Sequence, residues 1–326
     1  MKKILKRVGI ILIVVIAIFI FSGIHFDIPR GELEEKYAIG SSQFLDLSDG
    51  TRIHFRDEGN KKNPTIILLH GFNGSLFNFD RLAPLLVEDY RLVSLDLPGF
   101  GLTGAIPSAD YSTESFMNTV TALTEYLGIE NFSIAGNSMG GGVAWRYALN
   151  NPRKIESLIL IASSGVMTEE DLKKFAERKD NSPIVWRLMN SDILKRFLNY
   201  YTPKFFATQG LKASVYDQKL ANTEHAMQFH DLVLLEGSRN AILSMSMGSR
   251  SQMYGPESLS EIKAPTLVIH GEEDNIIPFE RSLVFEENID NVELKIYPRI
   301  GHLPMYEAPH KTANDIKSFL QNLNRT

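Results

Sequence analysis

Residues 132–142 read FSIAGNSMGGG and say most about the architecture of this chain. The apolar run at 132–135 is typical of a buried strand, and a helical pattern starts directly after Ser138. The pentapeptide G-x-S-x-G lies between them. Such a tight turn needs small neighbours and holds the serine in a strained conformation with its hydroxyl exposed. A glycine-rich packing turn is the alternative, whereas a phosphate loop would end in Gly-Lys-Ser or Gly-Lys-Thr, which is missing here.

The pattern around this turn predicts alternating strands and helices. The first two runs alternate apolar and polar residues across a Ser-Asp-Gly turn, which predicts an antiparallel hairpin at a sheet edge. The later runs are continuously apolar, as in parallel strands covered by helices on both faces. The predicted strands are 43–47, 52–56, 65–70, 91–95, 132–136, 157–162, 266–270 and 292–297. The predicted helices are 78–87, 113–127, 139–150, 279–286 and 309–323.

Composition excludes several classes of protein. The chain has 326 residues, of which 44% are hydrophobic and 22% charged, as in a packed globular protein. Its net charge of -5 argues against a nucleic-acid surface, which normally carries a basic excess. It contains no cysteine, so disulfide scaffolds, thiolate metal sites and a cysteine nucleophile are excluded.

The N-terminal region has the pattern of a membrane anchor. Residues 8–26 carry no charge and follow four basic residues, Lys2, Lys3, Lys6 and Arg7. A helix of this length spans roughly 28 Å, close to the thickness of a bilayer core. The basic flank predicts a cytoplasmic N-terminus and an extracytoplasmic body. A cleaved signal peptide and a buried helix are the alternatives, although the run ends without an Ala-x-Ala-like cleavage site.

The strand pattern is interrupted between residues 164 and 252. This stretch reads as helical and is rich in aromatic residues and methionine. It predicts either an ordinary helical core or a cap over an adaptable apolar pocket, and the two are compatible. We therefore divide the chain into an anchor at 1–26, a tether at 27–41, a core at 42–163 and 253–326, and a helical cap at 164–252.

A serine nucleophile needs a base and an orienting carboxylate. Of the histidines considered, His302 stands out because it follows the last predicted strand on a loop broken by Gly301 and Pro304. Three acids follow the strand at 266–270. Asp274 directly precedes an apolar Ile-Ile-Pro step and is expected to turn inward, whereas Glu272 and Glu273 are expected to face solvent.

The order Ser138, Asp274, His302, each on a loop after a strand, resembles that of the α/β-hydrolase superfamily over residues 42–323. The resemblance implies an eight-stranded, mostly parallel sheet flanked by helices, with a helical cap insertion. In this chain the N-terminal transmembrane helix would be added to that fold.

Two further segments support the resemblance. Residues 70–72, His-Gly-Phe, look like the family's oxyanion loop, and residues 96–101, DLPGFG, resemble its D-x-P-G-x-G turn. The resemblance implies that the backbone N–H groups of Phe72 and Met139 stabilise the tetrahedral oxyanion. It gives His70 a structural role in shaping the loop.

These residues imply a serine hydrolase that cleaves carboxylic esters of the acylglycerol-like or other apolar acyl type. A carbon–carbon hydrolase of ring-cleavage products is an alternative. Those enzymes typically have Gly-x-Gly-Pro-Gly in the oxyanion loop and a tryptophan after the histidine. This chain has Gly-Phe-Asn-Gly-Ser at 71–75 and Leu303. Ser138 argues against the haloalkane dehalogenase and epoxide hydrolase branches, whose nucleophile is an aspartate.

A non-catalytic ligand-binding protein with this fold is an alternative of another class. The expected partners are an apolar ester substrate and the lipid bilayer, contacted through residues 8–26. No metal, organic cofactor or nucleic acid is implied. The expected location is the cell membrane, with a single pass, or a cleaved secreted form.

Overall fold

The computed structural model describes residues 21–166, 199–248 and 254–323, together with the single positions 7, 10 and 197. Its centre is an eight-stranded sheet in the order β1-β2-β4-β3-β5-β6-β7-β8. The strands are β1 (Ser42–Asp46), β2 (Arg52–Glu58), β3 (Thr65–Leu69), β4 (Arg91–Leu95), β5 (Phe132–Asn137), β6 (Ile155–Ile161), β7 (Thr266–Gly271) and β8 (Val292–Tyr297).

The sheet is mostly parallel, as predicted. Strand β2 pairs antiparallel with both β1 and β4, and all pairs from β4 to β8 are parallel. The predicted edge hairpin is therefore confirmed. Strand β3 is buried along its whole length. Its Ile67 and Leu69 belong to one core cluster, whereas Ile66 and Leu68 belong to another, so the sheet has an apolar core on each face.

Helices cover both faces of this sheet. They are α1 (Arg30–Tyr37), α2 (Ala83–Leu86), α3 (Thr113–Tyr126), α4 (Met139–Asn150), α5 (Lys204–Ser214), α6 (Thr223–Val233), α7 (Ser238–Gly248), α8 (Glu280–Asn288), α9 (Pro304–Glu307) and α10 (Pro309–Leu323), with 3-10 turns at Leu76–Phe79, Gln218–Leu220 and Pro256–Glu261. Residues of α3, α4 and α8 contribute to one apolar cluster. Residues of α2 and α10 contribute to the other.

One predicted helix, at 78–87, is wrong in extent. The structure has a 3-10 turn at Leu76–Phe79 and a separate short helix, α2, in its place. Ser75 accounts for the first piece, because it and Asn78 form a reciprocal capping box that starts the turn earlier than the apolar pattern suggests.

Residues 23–28, which overlap the end of the predicted anchor, pair with the predicted cap insertion at 164–252. Ile24 and Ile28 form isolated β-bridges with Tyr201 and Leu235. The backbone N–H of Thr202 donates to the Gly23 carbonyl at 2.7 Å, and that of Ile28 donates to the Leu234 carbonyl at 2.7 Å. The stretches just before α5 and between α6 and α7 therefore share backbone hydrogen bonds with a segment from the start of the chain.

Most of the predicted anchor at 8–26, and part of the predicted cap, lie outside the described residues. Within the described part of the chain, no helix has both the length and the apolar character needed to cross a membrane.

Candidate active site

Ser138 occupies the turn between β5 and α4. Its φ of 53° and ψ of -118° lie in a region that costs a non-glycine residue about 1–3 kcal/mol. The turn is held by hydrogen bonds from the Ser138 N–H to the Ile161 carbonyl and from the Ser164 N–H to the Ser138 carbonyl. A side chain at Gly140 would collide with the carbonyl of His70, so only glycine lets the helix start this close to the neighbouring loop. The sequence prediction of a strained serine turn is matched by this geometry.

Asp274 and His302 are joined, as the sequence predicted. The Nδ1 of His302 lies 2.7 Å from Oδ2 of Asp274, and both side chains are buried. The other carboxylate oxygen accepts the backbone N–H groups of Ile276 and Ile277 at 2.8 and 2.9 Å. Asp274 therefore faces inward because the backbone of the Ile-Ile step caps its carboxylate, whereas the side chain of Ile276 is exposed.

A second histidine, His270, contacts the same carboxylate. Its Nε2 lies 3.1 Å from Asp274 Oδ2 and 2.9 Å from the carbonyl oxygen of Ile277. Because that carbonyl can only accept, His270 carries its proton on Nε2 and donates to both oxygens. Sequence reasoning missed this residue. Its signal was its place at the end of β7, four residues before Asp274.

The two histidines fix the charge of Asp274. Burial alone would raise its pKa, but hydrogen bonds from His270 and His302 outweigh burial and hold the pKa of Asp274 well below its ordinary range. A carboxylate that stays ionised can hold the Nδ1–H tautomer of His302, which leaves Nε2 free to accept a proton.

Ser138 and His302 line the same cavity. No hydrogen bond joins the Ser138 hydroxyl to His302 or to any other described residue, which is common in unliganded sites where the contact tightens on substrate binding. Asn137 links their backbones instead. Its side-chain N–H₂ donates to the carbonyls of Ile161 and His302 at 3.0 and 3.1 Å, tying the loop after β8 to the end of β5.

The loop after β3 runs beside the serine. A Cβ added at Gly71 would lie 3.0 Å from the Ser138 Cβ, so a side chain there would push the two segments apart by a few tenths of an ångström. The backbone N–H groups of Phe72 and Met139 make no hydrogen bond within the described part of the chain, so both are available as donors. His70 shapes this loop: its Nδ1 lies 2.7 Å from the Gly71 carbonyl, and its Nε2 accepts the Leu97 N–H at 3.0 Å.

Another serine, histidine and aspartate are aligned elsewhere in the fold. His54 places Nε2 at 3.0 Å from the Ser42 hydroxyl and Nδ1 at 2.7 Å from Asp96. Asp96 also accepts the backbone N–H groups of Leu76 and Leu102, both at 2.7 Å. His54 and Asp96 are fully buried and do not line the cavity. This set therefore fastens the 96–101 turn to the edge hairpin.

The cavity above Ser138 has a volume of about 530 Å³. Its wall comes from the loop after β3, from helices α5 to α7 and from the loop of His302, and most of the lining residues are apolar. Arg239 is the one lysine or arginine among the described lining residues. Its guanidinium already binds Asp27 and donates to the His25 carbonyl, so its hydrogen-bond donors are largely used within the protein.

The insertion is fastened to the histidine loop. The His302 N–H donates to the Ser214 carbonyl at 2.8 Å. Glu307 accepts the N–H of Gly301 at 2.8 Å and that of Tyr216 at 2.7 Å, and so joins the same two segments. Burial raises the pKa of Glu307 despite these hydrogen bonds. In the described ranges, no group of three histidine or acidic side chains could hold a metal ion.

Comparisons with known proteins agree with this architecture. A family model described as the alpha/beta hydrolase fold matches residues 64–309. Lipase 1 of Psychrobacter immobilis is 30% identical over 84% of this chain and 82% of its own length. The 2-hydroxy-6-oxo-6-(2'-aminophenyl)hexa-2,4-dienoic acid hydrolase of Metapseudomonas resinovorans is also 30% identical, over 79% of this chain and 84% of its own.

A solved structure has the same fold. A mutant of the meta-cleavage product hydrolase from Pseudomonas fluorescens IP01 superposes with a TM-score of 0.71 at 24% identity, covering 87% of this chain and 98% of its own. With more than half of the sequence matched by the family model, this chain belongs to the α/β-hydrolase family and is a hydrolase.

Proposed function

We propose that this hydrolase cleaves carboxylic esters with apolar acyl groups through an acyl-enzyme formed on Ser138. One observation carries the proposal. The strained Ser138 and His302 line the same apolar cavity, and Asp274 holds the Nδ1 of His302. These are the nucleophile, the base and the orienting carboxylate that acyl transfer requires.

In the proposed mechanism, the Ser138 hydroxyl attacks the ester carbonyl while His302 Nε2 takes its proton. The N–H groups of Phe72 and Met139 hold the oxyanion, and Asp274 stabilises the imidazolium. His302 then gives its proton to the leaving alcohol. Water, deprotonated by His302, attacks the acyl-enzyme carbonyl and releases the acid, and His302 returns the proton to Ser138.

A carbon–carbon hydrolase is the second candidate, because a relative of that kind is as similar as the lipase. The name of that relative describes a dienoic acid, which carries a carboxylate. Its binding in a buried site calls for a cationic partner. The one lysine or arginine among the described lining residues is Arg239, and Asp27 already binds it. This arrangement supports a neutral ester.

The test is a substrate panel on the full-length chain in detergent. The panel contains p-nitrophenyl esters of increasing acyl length, monoacylglycerols and a 2-hydroxy-6-oxo-dienoic acid. We expect ester turnover that falls by at least about 10³-fold in Ser138→Ala. Phe72→Ala should lose less ester turnover than Ser138→Ala, because the alanine keeps the backbone N–H at position 72. Turnover of the dienoic acid alone would overturn the proposal in favour of the second candidate.

A separate experiment tests the alternative that this chain is a non-catalytic binding protein. A fluorophosphonate should form a stoichiometric adduct on Ser138, since the reagent reports an activated serine whatever the natural substrate. Failure of the wild-type chain to react, while folded, would favour the binding role.

We also propose that the predicted anchor at 8–26 holds the chain in the cell membrane through its part before Gly23, with the N-terminus in the cytoplasm and the catalytic body outside. Residues 23–26 pair with the body instead. The uncharged run and the four basic residues before it support this location. Fractionation should recover the full-length chain with membranes after alkaline washing. Recovery as a soluble, N-terminally trimmed species would overturn the anchor.

A further inference from the structure

Large aromatic side chains are exposed where the N-terminal segment meets the insertion. Each is between 42% and 75% exposed. We call this surface the aromatic rim and define it as Phe21, Phe26, Phe197, Tyr200, Phe205 and Phe206. Exposed apolar surface that is contiguous marks an interaction site more often than isolated exposed residues do.

Ring contacts gather five of the six rim residues into two groups. Phe26 packs edge-on against Tyr200 with ring centroids 6.4 Å apart. Tyr201 stacks on Phe197 at 5.0 Å and contacts Phe206 at 6.3 Å, and Phe206 lies 6.5 Å from Phe205. The bridge between Ile24 and Tyr201 joins the two stretches of chain that carry these rings. The rim is therefore fixed by backbone pairing.

The rim borders the cavity that contains the serine. Phe206 belongs to both, since it is half-exposed at the surface and also lines the cavity together with Tyr201 and Ser138. An apolar ligand bound between the rim side chains would therefore also contact the wall of the cavity that contains Ser138.

Three features point to lipid as the partner. Phe21 and Phe26 of the rim lie in the last part of the uncharged run at 8–26. Its mixture of phenylalanine and tyrosine suits the boundary between lipid headgroups and acyl chains. Helix α5, which carries Phe205 and Phe206, also presents exposed Lys204 and Lys212 and contains no acidic residue, which favours an anionic surface.

We propose that the aromatic rim docks on the lipid bilayer and holds the mouth of the cavity at the membrane surface, so that ester substrates enter from the lipid. The substrate part of this inference rests on the proposed function, whereas the docking part does not. A second copy of the chain is the competing occupant and is an outcome of the test.

Site-specific labelling can test the docking, because the chain has no cysteine. Single variants Tyr200→Cys and Phe205→Cys of the full-length chain are labelled with an environment-sensitive nitrobenzoxadiazole dye. They are then reconstituted in phosphatidylethanolamine and phosphatidylglycerol vesicles that contain nitroxide-labelled lipid. Tyr126→Cys is the matched control, since Tyr126 is 61% exposed and lies on α3 of the core.

We expect nitroxide quenching at positions 200 and 205 to be at least about threefold stronger than at 126, as for a surface that sits in the headgroup region. Equal quenching at all three positions would overturn the proposal. A blue shift at 205 that depends on protein concentration and needs no lipid would assign the rim to a second copy, and would also overturn it. Thermal unfolding of each variant checks that the label has not disrupted the fold.

A functional readout separates docking from catalysis. In the double variant Tyr200→Ser, Phe205→Ser, hydrolysis of a long-chain ester embedded in vesicles should fall about tenfold. Hydrolysis of a dispersed short-chain p-nitrophenyl ester should stay within about twofold of wild type, because neither side chain lines the cavity. Equal losses on both substrates would contradict substrate entry from lipid. If the wild-type chain cleaves no ester, the proposed function fails while the quenching result still decides the docking.

Discussion

Asp274 accepts four hydrogen bonds, two from backbone N–H groups and two from histidines. A carboxylate with this many donors is stabilised in its ionised form, and the stabilisation is released when the group is protonated. Its depressed pKa therefore contributes stability above the ordinary carboxyl pKa of 3.8. That contribution is lost as the pH falls below this value.

The acid sensitivity of the fold is expected to depend on this residue. Between pH 6 and pH 3, the urea midpoint of the wild-type chain should fall more than that of Asp274→Asn, which has no carboxylate to protonate. Denaturation curves at both pH values measure the difference. Parallel losses in the two proteins would contradict the role of Asp274.

His270 is expected to act as a positioning residue through Asp274. His270→Phe keeps the ring volume but removes the donor, so kcat should fall about tenfold with KM unchanged, equivalent to about 1.4 kcal/mol. His270→Gln, which can donate from its amide, should recover most of this loss. Steady-state kinetics on a short-chain ester measure both variants, and a KM effect without a kcat effect would assign His270 to packing alone.

At the scale of single elements, the site depends on how closely loops approach one another. The loop after β3 passes so close to the serine turn that a Cβ at Gly71 would displace one of the two segments. Shifting this loop moves the Phe72 N–H relative to the oxyanion. Displacements of about 1 Å at a reacting centre can cost 10²-fold in rate.

Gly71→Ala is therefore expected to lower kcat by about 10- to 100-fold while the chain remains folded. The matched control is Gly31→Ala on α1, where an added Cβ would meet nothing within 4 Å. Kinetics and thermal unfolding of the two variants distinguish a displaced loop from general destabilisation. Unchanged kcat in Gly71→Ala would mean that the loop can move aside without harm.

The elements also account for what sequence reasoning could predict. Continuous apolar runs such as 66–69 and 158–161 predicted their strands because strands buried on both faces leave no polar positions. The helix at 78–87 was mispredicted because a local cap at Ser75 outweighed the apolar periodicity. His270 escaped notice because its contact with Asp274 depends on how the loop after β7 folds back, which residue types alone do not reveal.

On the scale of the whole molecule, an ion pair between a buried arginine and an exposed aspartate holds the N-terminal segment against the insertion. Arg239 is 5% exposed and binds Asp27, whose position in the chain is 212 residues away. Arg239 also donates to the His25 carbonyl at 2.8 Å and lies in the cavity wall. The pair therefore couples the segment behind the predicted anchor to the substrate cavity.

Arg239→Gln is expected to loosen this coupling, because Asp27 and the His25 carbonyl lose their donor. Backbone amides at 24–28 should exchange hydrogen for deuterium at least about tenfold faster, corresponding to about 1.4 kcal/mol of local stability. Hydrogen-exchange mass spectrometry measures this rate. Lys295→Gln, at a surface ion pair with Glu293 on β8, serves as the control. The coupling would be refuted if both variants exchanged alike.

The pairing of Ile24 with Tyr201 and of Ile28 with Leu235 has a consequence for biosynthesis. A ribosome makes residues 24 and 28 first, yet their partners emerge only after most of the sheet has been translated. The cavity wall can then be completed only late, when the earliest part of the chain docks on one of the last. If a translocon holds the first residues of the nascent chain, one end of the loop between residues 24 and 201 is already fixed. Residue 201 then finds its partner within the space beside the membrane.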